Sequence, residues 1–215
     1  MTALVKICGL KTAETLEAAL SAGADFVGLV FYPPSPRNVT PAEARPLAAM
    51  AKGRAKVVAL LVDPSDALIE EVVAAVHPDM LQLHGSETPE RVAEVKARFG
   101  VPVMKAIKVE TAGDAETALA YAGIADRILF DAKAPKGFTG ALPGGNGLAF
   151  DWQALEGVEG RLEFMLSGGL TVDTVATAIR LTGAWAVDVS SGVEHSPGHK
   201  DLGLIGAFLA AARAT

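Results

Sequence analysis

The residue with the most chemical potential is the only cysteine, Cys8, in the run Leu-Val-Lys-Ile-Cys-Gly-Leu over residues 4–10. Leu4, Val5 and Ile7 suit a buried strand, and Gly9 ends it with a turn. Cys8 would then stand at a strand's carboxyl end, where open α/β sheets and α/β barrels gather their chemistry. Taken alone, a cysteine is more often a small thiol that only fills space. Its companions change that balance. Arg37 falls in the loop after the second strand-like run, His84 ends the fourth, Asp131 the sixth, Ser167 the seventh and Asp188 the eighth. Each has a plainer reading, since an aspartate can cap the next element, Arg37 can be a solvated charge and His84 a satisfied loop residue. Gathered at one end of a sheet, they form a set able to move protons.

Strand parity adds a second layer, because residues two apart share a face. Lys6 lies beneath Cys8, Gln82 beneath His84, and Lys105 is expected near the mouth of the fifth strand. An ammonium beside a thiol favours the thiolate, so the expectation is that Lys6 makes Cys8 a usable proton acceptor near neutral pH. The alternative is that Lys6 pairs with a carboxylate inside the sheet and leaves a neutral thiol.

The clearest ligand signal lies late in the chain, in Leu166-Ser-Gly-Gly-Leu170 and Asp188-Val-Ser-Ser-Gly-Val-Glu194. Glycines there expose backbone N–H groups, and a helical turn starting near Ser190 would aim its positive end at an anion. In barrels these two loops commonly hold phosphate. No Walker-type loop is present, and no GxGxxG follows the first strand, which disfavours nucleotides and dinucleotides. The four histidines make no HExxH, His195 and His199 are separated by Pro197 and Gly198, and one cysteine cannot build a multi-Cys zinc site. Neither a metal nor another cofactor is expected.

These residues need a scaffold, and the hydrophobic pattern supplies one. Strands are predicted over 25–32, 56–62, 80–84, 103–107, 127–131, 162–167 and 184–189 after the first. Helices are predicted over 11–21, 41–51, 64–76, 88–99, 112–121, 150–155, 171–181 and 200–212. Eight strand-then-helix units with apolar strands imply a parallel sheet, closed most naturally as a single-domain (β/α)8 TIM barrel over residues 1–215. A doubly wound open sheet is the alternative, but no strand carries the charges or prolines suited to an edge. The Gly-rich residues 136–148 sit inside the repeat and read as an active-site loop.

Half of the 215 residues are hydrophobic and a fifth are charged, as in ordinary globular proteins. A net charge of -6 offers no basic patch for nucleic acid or an anionic membrane. The chain's start lacks an export-signal pattern, and its longest near-apolar stretch, residues 202–212, is too short to span a bilayer. A reduced cytoplasmic location is expected, with a phosphorylated small molecule as ligand and a monomer or homodimer as assembly.

Several motifs together resemble the phosphoribosylanthranilate isomerase family of tryptophan biosynthesis. They are Val5-Lys-Ile-Cys-Gly-Leu10, Gly28-Leu-Val-Phe-Tyr32 running into Ser35-Pro-Arg-Asn-Val-Thr-Pro41, and Leu81-Gln-Leu-His-Gly85. Further along come Leu129-Phe-Asp131, Gly144-Gly-Asn-Gly147 with Phe150-Asp-Trp152, and the two Ser-Gly loops, in order over nearly the whole chain. The resemblance implies a cofactor-free Amadori rearrangement with Asp131 as general acid and Cys8 as general base. It further implies Arg37 on the anthranilate side, and Gly168, Gly169, Ser190, Ser191 and Gly192 at the phosphate. His84 and Asp188 are implied at the mouth as substrate-binding residues. A metal-dependent epimerase, an indole-glycerol-phosphate synthase and a non-catalytic sugar-phosphate sensor are the competing readings. The expected metal set, catalytic lysine–glutamate pair and amino-terminal extension of the two enzymes are not evident, and a sensor would need neither Cys8 nor Asp131.

Overall fold

The computed structural model describes residues 3–133, 144–158 and 160–215. Eight parallel strands follow the predicted apolar runs: β1 (Leu4–Cys8), β2 (Phe26–Phe31), β3 (Lys56–Leu61), β4 (Met80–Leu83), β5 (Val103–Val109), β6 (Arg127–Ala132), β7 (Phe164–Leu166) and β8 (Ala186–Val189). β1 pairs with both β2 and β8, so the sheet closes and no edge remains among these strands. That closure decides between the barrel and the open sheet.

Both faces of the sheet are covered, which is why the strands read as apolar runs. Alternate residues such as Val5, Ile7, Val27, Leu29, Leu81, Leu83, Ile128 and Phe130 face outward into the layer shared with the helices. Phe26, Val58, Met104, Ala106, Leu129, Met165 and Ala186 face inward and fill the barrel. Above this inner layer the carboxyl ends are polar, and that polarity defines the site.

The helices are α1 (Ala13–Ser21), α2 (Pro41–Ala51), α3 (Asp66–Val76), α4 (Pro89–Phe99), α5 (Ala112–Glu116), α6 (Val175–Thr182) and α7 (Leu202–Arg213). Their starts are chemically marked. Thr40 accepts from Glu43 N–H while the Glu43 carboxylate accepts from Thr40 N–H, a reciprocal cap with Pro41 in the first turn. Thr12, Ser65, Thr88 and Asp201 each accept from the backbone N–H three residues on.

Three predicted helices differ. The one expected over 112–121 is α only to Glu116 and continues as a 3-10 turn, Thr117–Tyr121, where the Thr117 hydroxyl donates back to Asp114 O at 2.6 Å. The one expected over 150–155 is a 3-10 turn, Trp152–Leu155, which buries Leu155 against the barrel in a single turn. The one expected from 171 starts at Val175, because Thr171 and Thr174 form a local turn, with Thr171 N–H donating to Thr174 Oγ1 at 3.0 Å. A short antiparallel hairpin, β9 (Glu194–Ser196) and β10 (His199–Lys200), follows β8 and turns at Pro197-Gly198. No helix among the described residues is long and apolar enough to cross a membrane.

Candidate active site

A cavity of about 730 Å³, its open mouth included, lies at the carboxyl ends of the strands. Cys8, Arg37, His84, Asp131, Asp188, Gly168, Gly169, Ser190, Ser191 and Gly192 all line it, with Ser167. The structure thus brings every one of the predicted site residues to one place. Of the predicted Gly-rich loop, residues 136–143 lie outside the described residues, while residues 144–148 wall the cavity.

The floor beside Cys8 is a buried ion pair. Lys6 Nζ donates to Asp188 Oδ1 at 2.8 Å, and Ser167 Oγ donates to Asp188 Oδ2 at 3.1 Å. Burial alone would depress the Lys6 ammonium, but Asp188, with Cys8 beside it, holds it above its ordinary value. Burial raises the Cys8 thiol, and the opposing effect of Lys6 does not overcome it. This corrects the expectation of a readily formed thiolate: burial disfavours the anion, and the Asp188 charge adds to that effect against Lys6. It also shows Asp188 committed to Lys6 and Ser167 at the cavity wall. Gly28, which the sequence reading left unassigned, makes room for both neighbours: a Cβ there would stand 2.8 Å from Cys8 Sγ and 3.1 Å from Lys6 Nζ.

Across the cavity His84 Nε2 lies 3.1 Å from Asp131 Oδ2, and Asp131 Oδ1 accepts from Ala132 N–H at 3.0 Å. Both side chains are buried. Gly144 runs directly over this contact, where a Cβ would stand 2.8 Å from Asp131 Oδ2 and from His84 Nε2.

Arg37 is no solvated charge. Its Nε and Nη2 fork onto Glu194 at 2.8 and 2.7 Å, and Nη2 also donates to Gly145 O at 3.2 Å. Lys200 Nζ donates to the other side of the network, reaching Glu194 Oε1 at 2.8 Å, Ser190 O at 2.8 Å and Ser190 Oγ at 3.2 Å. Burial would raise the Glu194 carboxyl, but Arg37 and Lys200 hold it below its ordinary value. Burial lowers the Lys200 ammonium despite Glu194. Sequence reasoning missed this role of Glu194, although it closes the Asp188–Glu194 motif, and nothing around Lys200 announced it.

The two Ser-Gly loops are held by close backbone approach. Gly168 and Gly169 have φ of 88° and 65°, and Cβ atoms there would stand 2.5 Å from Ala132 N and 2.6 Å from Leu148 O. A 3-10 turn, Ser191–Val193, opens after Ser190, whose hydroxyl is occupied by Cys8 O at 3.1 Å. The expected place of Lys105 is also corrected. It ladders beside Leu83 and Ile128, faces outward, and pairs with Glu87 Oε2 at 2.8 Å. Lys108, laddered beside Asp131 and exposed, is the β5 lysine at the carboxyl end. Among the described residues no group of three or more His, Cys, Asp and Glu could hold a metal ion.

A thiol and a carboxyl facing one cavity, with a rim of glycines and serines, suit proton transfer on a small polar substrate. The family model of N-(5'-phosphoribosyl)anthranilate (PRA) isomerase matches residues 5–211. The chain belongs to the phosphoribosylanthranilate isomerase family. Within that family, the N-(5'-phosphoribosyl)anthranilate isomerase of Rhodopseudomonas palustris (strain BisA53) is 59% identical over 211 residues, covering 98% of this chain and 96% of the relative. The crystal structure of phosphoribosyl anthranilate isomerase from Thermotoga maritima superimposes with a TM-score of 0.88 at 35% identity, covering 99% of this chain and all of that one. A family structure in complex with reduced 1-(o-carboxyphenylamino)-1-deoxyribulose 5-phosphate gives a TM-score of 0.86 at 34% identity, with 99% and 100% coverage.

Proposed function

We propose that Cys8 and Asp131 are the base and the acid with which this chain converts N-(5-phosphoribosyl)anthranilate into 1-(o-carboxyphenylamino)-1-deoxyribulose 5-phosphate. The observation that carries the reading is their placement on the walls of one cavity whose rim is a cradle of glycines and serines. Protonation of the ribose ring oxygen by Asp131 opens the ring as the anthranilate nitrogen supplies its electron pair, giving a Schiff base. That cation acidifies the sugar's C2 proton, which passes to the thiolate form of Cys8, the resting thiol having first given its proton to solvent. The resulting enolamine tautomerises to the ketone as its 2-hydroxyl loses a proton and C1 gains one, and the proton taken up by Cys8 replaces the one Asp131 gave, so the substrate is isomerised with no net change in protons or electrons and no cofactor is called for.

The phosphate falls to Gly168, Gly169, Ser190, Ser191 and Gly192, where the Ser190 contribution is its backbone, its hydroxyl being engaged elsewhere. Arg37 takes the anthranilate side, its guanidinium plane set by Glu194. His84 and Asp188 act on the two reacting groups' surroundings, His84 through its bond to Asp131 and Asp188 through Lys6. The ligand is a phosphorylated small molecule, the assembly a monomer or homodimer, and the compartment the cytoplasm.

The test is a fluorescence assay with freshly generated phosphoribosylanthranilate and no added metal or cofactor. Enzyme-dependent loss of the anthranilate fluorescence is expected, and its absence with folded protein overturns the reading.

A further inference from the structure

We propose that Gln82 is a positioning residue for the proton donor, acting through His84 by deciding which imidazole nitrogen carries the proton. The inference rests on the isomerase reading above and extends it by one residue that the reaction itself does not touch.

Gln82 lies on β4 two residues before His84, and both side chains turn into the barrel. His84 Nδ1 is 2.9 Å from Gln82 Nε2, and His84 Nε2 is 3.1 Å from Asp131 Oδ2. With the amide nitrogen turned to the ring, as here, only donation to Nδ1 is open to it, so His84 Nδ1 accepts and the ring proton falls on Nε2. From there it is donated to Asp131. With Oδ1 already accepting from Ala132 N–H, both carboxyl oxygens are pinned.

The tautomer matters because of what the opposite one would do. Were Nδ1 protonated, the bare Nε2 would face Asp131 and capture the acid's own proton in an O–H···N bond. That proton would then be aimed at His84 and withheld from the sugar ring oxygen. With Nε2–H donating, a proton carried by Asp131 takes no part in the contact and stays aimed at the substrate, and the bonds from His84 and Ala132 stabilise the carboxylate left once that proton has been given up. The backbone at Gly144, packed over the pair, leaves the imidazole little room to turn.

Packing does not explain the glutamine. Gln82 is fully buried, and its Oε1 has no hydrogen-bond partner among the described residues. Met104, Ala106 and Leu129 fill the neighbouring inward positions, and a methionine would occupy the same volume without stranding a carbonyl. Among the described residues, the bond to His84 is the one this side chain makes.

The test uses the full-length protein labelled with 15N-histidine. Long-range nitrogen–proton spectra of wild type are expected to show His84 as the Nε2–H tautomer. Gln82→Met is expected to keep or raise thermal stability, hold KM within about twofold and lower kcat roughly tenfold or more, with the His84 nitrogens moving towards a tautomer mixture. Gln82→Glu, whose carboxylate accepts from Nδ1–H, is expected to move the proton to Nδ1 and lower kcat further. Wild-type His84 protonated at Nδ1, or Gln82→Met turning over at the wild-type rate, overturns the proposal. Absence of isomerase activity in the wild type would instead overturn the underlying function, while the nitrogen spectra still report the tautomer.

Discussion

Lys6 Nζ and Asp188 Oδ1 meet at 2.8 Å from positions directly opposite each other on β1 and β8, both buried beneath the cavity. Removing one partner strands the other as an uncompensated buried charge. Lys6→Met is therefore expected to cost roughly 3–5 kcal/mol in urea unfolding. Lys6→Met/Asp188→Leu should recover most of that loss yet remain slow, because Cys8 has then lost the ammonium that opposes its burial. Equal destabilisation of the single and double variants would show that the two side chains do not act as a unit.

Cys8→Ala and Asp131→Asn are each expected to reduce turnover by ~100-fold or more, since each removes a proton carrier and leaves the anion loops intact. Binding of a simple sugar phosphate, followed by calorimetry, should change little. Turnover near the wild-type rate in either variant would remove that residue's role.

The state of the thiol can be read without the reaction. Burial lifts Cys8 above the ordinary value of 9.0, so the resting protein carries the thiol at neutral pH. Only the thiolate is alkylated, and the rate of modification by iodoacetamide is expected to climb about tenfold per pH unit without levelling by about pH 9. Levelling near neutrality would mean that Lys6 wins over burial after all.

Glu194 couples stability to acid. Its carboxyl, although buried, is held below 4.5 in the folded chain by Arg37 and Lys200. The folded state therefore binds the proton less readily than the unfolded one. The contribution is fully present above pH 4.5 and is lost as the pH falls through the lower folded value. Glu194→Gln should flatten the acid side of a Tm-against-pH curve, and an unchanged slope would contradict the network. The same fork predicts that Arg37→Ala weakens anthranilate-bearing ligands more than simple sugar phosphates, compared by calorimetry. Equal losses for both ligand sets would contradict the assignment.

How far the site was legible in the chain depends on the kind of information each residue carries. Cys8, His84, Asp131, Ser167 and Asp188 were readable as a set because each closes a strand-like run, and parallel strands all end on one side. Gly28 and Lys200 carried no such mark. Gly28 matters for the side chains opposite it, and Lys200 for a carboxylate that a hairpin turn brings back to it. Lys105 was misplaced by parity: it is laddered with the outward Leu83 and Ile128, whereas Ala106 faces in.

The amino-acid order by itself determined the eight alternating units, the reciprocal cap at Thr40 and Glu43, and the end of the sheet on which chemistry would gather. Those depend on periodicity and on neighbours within a few positions, where the backbone's preferences act directly. Tertiary structure alone decided which charges meet. Lys6 and Asp188 are separated by 182 positions and Arg37 and Glu194 by 157, and each pair exists because the barrel closes β8 against β1. Electrostatic partnership falls off with distance through space, and only the closed, registered sheet sets that distance. The raised thiol of Cys8 is a consequence of that closure, which no local pattern around residue 8 encodes.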